Sequence, residues 1–462
     1  MKVVVIGGGI AGLAAARRLT QLLPEAEIVL VEREQRLGGK ILTEHTADGF
    51  VVEGGADSFL SRKERGVGLC EELGIELVGR RPEHARSFVR RGGELHPLPE
   101  GLTGTIPTDL DALATSALLS AEGKARVAEE IDLPPASPGA DESVASFVSR
   151  RLGHEAYEAI VEPLMTGIYG GDGEQLSLEA TFPQLRALEL EYGSVIRGLE
   201  AQLRAPSRYP PFVAPASGMG TMVERLVSSL ERRVNVLIGS GAAGLRPRSG
   251  GFVVELWNRG TLDADGVVLA VPGFTAGQLL DGIDADWLAE DHYDIPYSPS
   301  TVVTLGYEEG DVAHPLDGYG YLVPRSEGSD VLACTWTSSK WQGRAPAGKV
   351  LLRVFAGRFG RRNVTEDSDR KLVRLARNEV RMLGIKARPS LTRIHRWPWQ
   401  GGMPQYVLGH PERLERIDAH LAEHPGLALA GAAYRGVGIP DCIHSGEQAA
   451  ESVVRAVAGA RA

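Results

Sequence analysis

The chain opens Met1-Lys2-Val3-Val4-Val5-Ile6-Gly7-Gly8-Gly9-Ile10-Ala11-Gly12-Leu13-Ala14-Ala15-Ala16, and the reading of this stretch decides the fold. The β-branched run from Val3 to Ile6 suits a parallel strand covered on both faces. Gly7, Gly8, Gly9, Ile10, Ala11 and Gly12 then satisfy G-x-G-x-x-G, and a helical pattern over 12–23 follows until Pro24 ends it. Such glycines permit a tight turn, a close approach of backbone to a pyrophosphate, and close packing of helix on strand. A second strand is expected over 28–31. Glu32 ends it 20 residues after Gly12, where a carboxylate can accept hydrogen bonds from an adenosine ribose. The same carboxylate repels a 2′-phosphate, which disfavours NADP. The basic start, apolar middle and Ala14-Ala15-Ala16 also resemble a signal peptide. Four glycines interrupt that run, and it falls short of the roughly 20 apolar residues needed to span a bilayer, so it reads as retained structure.

Two further turns favour FAD over NAD. Leu37-Gly38-Gly39-Lys40 supplies a second close backbone approach just beyond the ribose-binding acid. Glu53-Gly54-Gly55-Ala56-Asp57-Ser58 supplies a third, with polar groups able to reach a ribityl chain or flavin edge. Near the C-terminus, Gly431 to Asp441 leads into a last helix over 443–457, whose start can face the pyrimidine side of a flavin. Cys442 has no neighbour that marks it as an activated thiolate, so the expectation is a buried small side chain and a non-covalent flavin.

Composition sets the bounds. The 462 residues carry a formal charge of −10, with 43% hydrophobic and 24% charged residues, and 57 glycines. A chain of this length can bury a large core in two or three domains. The acidic balance argues against non-specific nucleic-acid binding. Cys70, Cys334 and Cys442 stand far apart without a CxxC pair, which fits a reducing cytoplasm and disfavours a disulfide framework. His96 and His395 lack partners at metal-ligand spacing, so no metal is expected.

The pattern alternates along the chain, and the expected class is α/β: a Rossmann-like FAD-binding fold built from discontinuous segments, with a β-rich substrate domain and a helical insertion. FAD-binding parts are expected at 1–60, 206–290 and 421–462. Substrate-domain parts are expected at 61–107 and 291–420, with the helical insertion at 108–205. Within that insertion Asp141 is the expected N-cap of a helix carrying Val144, Phe147, Val148 and Leu152, which Gly153 closes, and a second helix runs to about Leu164. A helix at 222–230, strands at 234–238, 251–257, 266–271 and 427–430, and a charged helix at 367–383 complete the reading. Arg80-Arg81, Arg90-Arg91 and Arg361-Arg362 read as solvated surface, or as groups that meet substrate carboxylates.

Taken together, these residues resemble the FAD-containing amine-oxidase superfamily, and within it the bacterial coproporphyrinogen III and protoporphyrinogen oxidases, nearly end to end. The broad motifs are residues 5–12, Gly38-Gly39-Lys40 and the C-terminal loop. The narrower likeness rests on the strings at 162–172, 176–177, 182–183, 218–222, 403–406 and 436–442. The resemblance implies FAD contacts at Gly7, Gly8, Gly9, Ile10, Ala11, Gly12, Glu32, Arg33, Lys40, Gly55, Ala56, Asp57, Ser58, Ala242, Trp399, Val437, Gly438 and Ile439. Trp397 is the alternative register for Trp399.

The resemblance also implies the reaction: coproporphyrinogen III is oxidised to coproporphyrin III in heme biosynthesis, with O₂ as acceptor and peroxide released. Protoporphyrinogen IX is the alternative substrate. A substrate with four propionates calls for cations in the cavity, with Arg62, Lys63 and Lys40 as candidates, and Tyr169 and Met403 as further substrate contacts. No catalytic side chain is singled out, because the gain in conjugation drives the reaction. Contact of the helical insertion with a membrane surface, and of the protein with the next enzyme of the pathway, belong to the same expectation. A flavin oxidase of amines or carotenoid precursors, a flavin-dependent mutase and a non-catalytic flavin or porphyrin carrier are the rival readings.

Overall fold

The opening strand lies at the centre of a five-stranded parallel sheet in the computed structural model, which describes residues 1–136, 139–202, 208–283, 287–398 and 401–459. The strands are β1 (Lys2–Ile6), β2 (Glu27–Val31), β3 (Val234–Leu237), β4 (Gly266–Leu269) and β5 (Leu427–Leu429), in the order β3-β2-β1-β4-β5. Alternation along β1 places Val3 and Val5 in the core on one face of the sheet, and Val4 and Ile6 in the core on the other. The strand order reverses between β1 and β4, which opens a crevice at their C-terminal ends.

Helix α1 (Ile10–Leu22) follows β1 and begins two residues earlier than its sequence pattern indicates. Gly7 turns the chain at φ +108°, and a Cβ at Gly12 would stand 1.9 Å from the Gly7 carbonyl oxygen, so only glycine fits this strand–helix corner. The signal-like run is thus core: Leu13, Ala14, Ala15, Ala16 and Leu19 are buried.

Helix α2 (Val144–Leu152) forms where its apolar spacing predicts and closes at Gly153, with φ +91°. Its N-cap is Ser143, whose hydroxyl accepts from the Ser146 N–H at 3.1 Å. Asp141, the expected cap, lies too far upstream to reach those N–H groups. Its carboxylate instead accepts from the Ser177 hydroxyl at 2.8 Å and the Gly409 N–H at 3.0 Å. From His154 the chain stays helical through a π-type turn at Tyr157–Val161 into α3 (Glu162–Tyr169), beyond the expected end at 164. Gly170, at φ +61°, terminates it.

A seven-stranded sheet stands beside this framework, in the order Leu391–Trp397, Ser300–Glu308, Lys349–Ala356, Val331–Trp336, Gly320–Leu322, Phe88–Arg91, Glu94–Pro97. Its neighbours are antiparallel except where Gly320–Leu322 meets Phe88–Arg91. Helix Asp369–Glu379 covers one face through Leu372 and Ala376. Among the described residues, no helix is long and apolar enough to cross a membrane.

The last helix, α4 (Ile439–Gly459), crosses α1 at backbone contact distance. A Cβ on Gly446 would lie 2.1 Å from the Ala11 carbonyl oxygen. This close crossing fixes where the start of α4 sits relative to the glycine turn.

Candidate active site

One cavity of about 3780 Å³ runs from the β1–α1 corner to the seven-stranded sheet. Pockets for single small ligands span about 300–1,000 Å³, so the space accommodates a dinucleotide and a second large ligand together. Gly7, Gly9, Ile10, Ala11, Glu32, Arg33, Lys40, Gly55, Ala56, Asp57, Ser58, Ala242, Val437, Gly438 and Ile439 all line it. Gly8 and Gly12 lie behind that wall and shape it. Trp399 falls outside the described residues, whereas Trp397 lines the cavity and donates from Nε1 to the Gly54 carbonyl at 2.9 Å.

The corner suits a diphosphate. No side chain caps α1, no acid lies in its first turn, and a Cβ on Gly9 would meet nothing within 4 Å. Open space therefore faces a helix N-terminus with unpaired N–H groups. Gly38 donates its N–H to the Gly8 carbonyl at 2.8 Å, which docks the second glycine turn onto the first. Glu32 is held by the Gly8 and Glu34 N–H groups, each at 2.7 Å, at the point where β2 meets the cavity. These residues fit a bound flavin dinucleotide.

Lys40, at the end of the second turn, lines the cavity near Cys442 of α4. Burial lowers its amine below the ordinary lysine range, and the nearby Cys442 opposes that shift. Cys442 is itself pushed up to about 12 by burial, so its thiol stays protonated and unreactive at neutral pH. Burial would raise the Asp57 carboxyl, but Lys340 and Arg353 outweigh it and hold Asp57 well below the carboxylate range. Lys340 Nζ lies 3.0 Å from both Asp57 oxygens, Arg353 Nη1 lies 3.4 Å away, and Arg353 Nη2 also donates to the Gly55 carbonyl.

The four substrate candidates have different surroundings, although all line the cavity. Arg62 is exposed and has no hydrogen-bond or ion-pair partner among the described residues. Lys63 is not a free cation: its Nζ lies 2.5 and 2.7 Å from the Asp441 carboxylate, in the first turn of α4. The acid compensates the lysine and also offsets the positive end of the helix dipole, so Lys63 ties the start of the helix Glu64–Glu72 to α4. Tyr169 is buried, donates to the Thr181 carbonyl at 3.2 Å, and packs edge-on against Phe182. Met403 sits on the short strand that pairs with Tyr297–Ser298.

Several residues of the site lie beyond sequence reasoning. Tyr406 donates to the Ala432 carbonyl at 2.7 Å and accepts from the Gly436 N–H at 2.8 Å, clamping the C-terminal loop from outside the cavity. Gln405 holds the Tyr169 carbonyl at 2.8 Å. The string at 403–406 was the available signal for both. Lys340 and Arg353 carry no local signal, because the sheet that brings them to Asp57 is assembled from distant strands.

Comparison with known proteins agrees with this geometry. Residues 10–454 match the family of flavin containing amine oxidoreductases. The coproporphyrinogen III oxidase of Bacillus subtilis (strain 168) is 36% identical, over 97% of this chain and 96% of its own length. That of Staphylococcus aureus is 32% identical, over 98% of both chains. The crystal structure of an Exiguobacterium sp. 255-15 protein assigned as a protoporphyrinogen oxidase superposes with a TM-score of 0.87 at 33% identity, covering 98% of each chain.

Proposed function

The chain belongs to the flavin containing amine oxidoreductases, and from that membership we propose that it is an FAD-dependent coproporphyrinogen III oxidase of heme biosynthesis. One observation carries the proposal. The strings at 162–172, 403–406 and 436–442 each contribute to the same cavity wall as the dinucleotide turn, through Tyr169, Met403 and Val437 among others. The relatives named for coproporphyrinogen III oxidation match this chain over nearly its whole length.

In this reading Gly9 and the start of α1 would hold the diphosphate of FAD, and Glu32 would accept from the adenosine ribose. The Ala242 backbone borders the adenine. Lys40, Gly55 to Ser58 and Val437 to Ile439 border the flavin. Binding is non-covalent, in keeping with the protonated thiol of Cys442.

A bound flavin supplies two-electron uptake and the return of those electrons to O₂. A porphyrinogen loses six electrons on becoming a porphyrin, so the substrate reacts in three rounds, consuming three O₂ and releasing three peroxides. Over the three rounds three hydrides leave meso carbons and three protons leave with them. Two of the protons come from pyrrole nitrogens and the third from the remaining meso methylene by tautomerisation, which leaves the four meso CH and two N–H groups of a porphyrin. The protein contributes position and exclusion of water. Leu164, Ile168, Tyr169 and Met403 present apolar surface for the macrocycle. Burial raises the Tyr169 hydroxyl well above its ordinary range, so it remains a neutral wall and hydrogen-bond donor rather than a base.

The assay is O₂ uptake with peroxide detection on coproporphyrinogen III and on protoporphyrinogen IX, the substrate that the Exiguobacterium relative brings into question. A higher kcat/KM on coproporphyrinogen III is expected. A large preference for protoporphyrinogen IX would replace that substrate assignment, and no uptake with either would overturn the proposal.

A further inference from the structure

Arg80 follows the short strand Leu77–Gly79 and packs against two aromatic rings drawn from distant parts of the chain. Its guanidinium carbon lies 4.5 Å from the Phe212 ring centroid and 4.4 Å from that of Tyr319. All three side chains line the cavity. Ring contacts of this kind engage the faces of a guanidinium and leave its in-plane N–H donors for a planar anion. Those donors have no hydrogen-bond or ion-pair partner among the described residues. Nor is Arg80 a solvated surface residue: burial lowers its pKa, with Tyr319 and Asp57 opposing the shift.

Its surroundings are cationic. Lys340 lies close enough to Arg80 and to Arg353 for their charges to interact, and all three line the cavity. Asp57 faces all three cations, and the buried Glu53 also interacts with Arg353. Arg353 is fully buried, and its Nε and Nη1 make no hydrogen bond. Cations thus outnumber acids in a partly enclosed space, and Arg80 has no ion-pair partner among the described residues, within a chain whose net charge is −10. Such an arrangement is costly unless an anion completes it. The diphosphate of a dinucleotide belongs to the α1 corner and leaves this second position to another ligand.

We propose that Arg80, backed by Lys340 and Arg353, forms the subsite that binds a carboxylate of the substrate and so selects porphyrinogens rich in propionates. This rests on the porphyrinogen reading for the identity of the ligand. Arg80 gives the planar two-point contact, while Lys340 and Arg353 set the local potential. The subsite resolves the charge problem that the sequence raises, since an acidic protein must gather its cations locally to hold a tetracarboxylate.

The test is the affinity of flavin-loaded protein for coproporphyrin III, the oxidised form of the substrate, followed by porphyrin fluorescence, beside steady-state kinetics on coproporphyrinogen III. Arg80→Gln should weaken porphyrin binding and raise KM by about ten-fold or more, with kcat changed little, as expected for loss of a charged hydrogen-bonded contact. Arg80→Lys, which keeps the charge and loses the fork, should fall between the two. The tetramethyl ester of coproporphyrin should bind wild type and Arg80→Gln alike. Flavin content reports whether each variant is folded, and if Arg80→Gln is not, the same comparison is made on Arg80→Lys. Unchanged affinity for the free acid, or equal loss of affinity for acid and ester, would overturn the subsite. Arg80-dependent binding in a protein that oxidises no porphyrinogen would uphold the subsite and refute the proposed reaction. Oxidation indifferent to Arg80 would do the reverse.

Discussion

The crossing of α1 and α4 predicts that Gly446→Ala is destabilising, against the ordinary trend for a helix. In an exposed helix interior, alanine is more stable than glycine by about 1 kcal/mol. Here the added Cβ would stand 2.1 Å from the Ala11 oxygen, 2.9 Å from the Ala11 carbonyl carbon and 3.2 Å from the Ala15 nitrogen. All three are backbone atoms, so no rotamer change relieves the contact. Reaching a 3.4 Å separation from the Ala11 oxygen requires a displacement of about 1.3 Å, the difference between 3.4 and 2.1 Å. Overpacking of this kind costs about 1–3 kcal/mol, and more where backbone must move. Separation also loosens the seam of Ala11, Ala15, Ala449 and Ala450, all buried. Taking the upper end of that range, about 3 kcal/mol, because the contact is with backbone, less the roughly 1 kcal/mol of helix propensity, the net loss is about 2 kcal/mol. At about 2.1 cal/mol/K per residue, unfolding of all 462 residues as one unit carries about 1 kcal/mol/K, so Tm falls by roughly 2 °C. Because α4 begins in the cavity wall, FAD affinity should fall with it. The assay is thermal melting followed by flavin fluorescence, with equilibrium dialysis of FAD. Gly459→Ala, where a Cβ meets nothing within 4 Å, is the control and should not lower Tm. A Gly446→Ala protein that melts at or above the wild-type temperature and holds FAD equally well would refute the reasoning.

Glu32→Ala removes the acceptor for two backbone N–H groups at 2.7 Å and for the ribose. FAD affinity should fall by roughly 1–3 kcal/mol, or about 5- to 150-fold by dialysis; unchanged retention would remove Glu32 from the site. Burial would raise Glu189, yet Arg150, the Ala136 N–H and Arg186 bring it down to about 2 from an ordinary 4.5. A depressed folded pKa stabilises above the unfolded pKa, and that contribution, roughly 3 kcal/mol, is lost as pH falls from about 4.5 towards 2. The Tm gap between wild type and Glu189→Gln should therefore narrow over that window, and a constant gap would contradict the linkage. Cys442→Ala should leave flavin content unchanged, and acid precipitation should release all flavin from wild type and variant; flavin retained on the wild-type pellet alone would show a covalent bond.

The parallel sheet was legible because its signals are local. A β-branched strand, glycines at a corner and an acid 20 residues on all stand within the first 32 residues. The cavity walls carrying strings at 162–172 and 403–406 were legible only as strings, since their geometry depends on partners elsewhere: Gln405 holds the Tyr169 carbonyl across 236 residues. Charge pairing was the least legible feature. Lys63 read as a free cation because its partner, Asp441, lies 378 residues away. Arg80 stayed open between solvated surface and a contact to substrate carboxylates, because the rings that flank it come from residues 212 and 319. Asp141 misled for a related reason: an acid near a helix start invites a capping role, yet Ser143 stood closer and tertiary donors claimed the carboxylate.

The most direct measurement is an anaerobic titration of the purified, flavin-loaded protein with coproporphyrinogen III, followed by flavin absorbance and porphyrin fluorescence together. Oxidised-flavin absorbance should bleach as porphyrin fluorescence rises, approaching one porphyrin for every three flavins because six electrons leave each substrate two at a time, and air should restore the flavin with release of peroxide. A flavin that stays oxidised under excess coproporphyrinogen III would contradict the assignment.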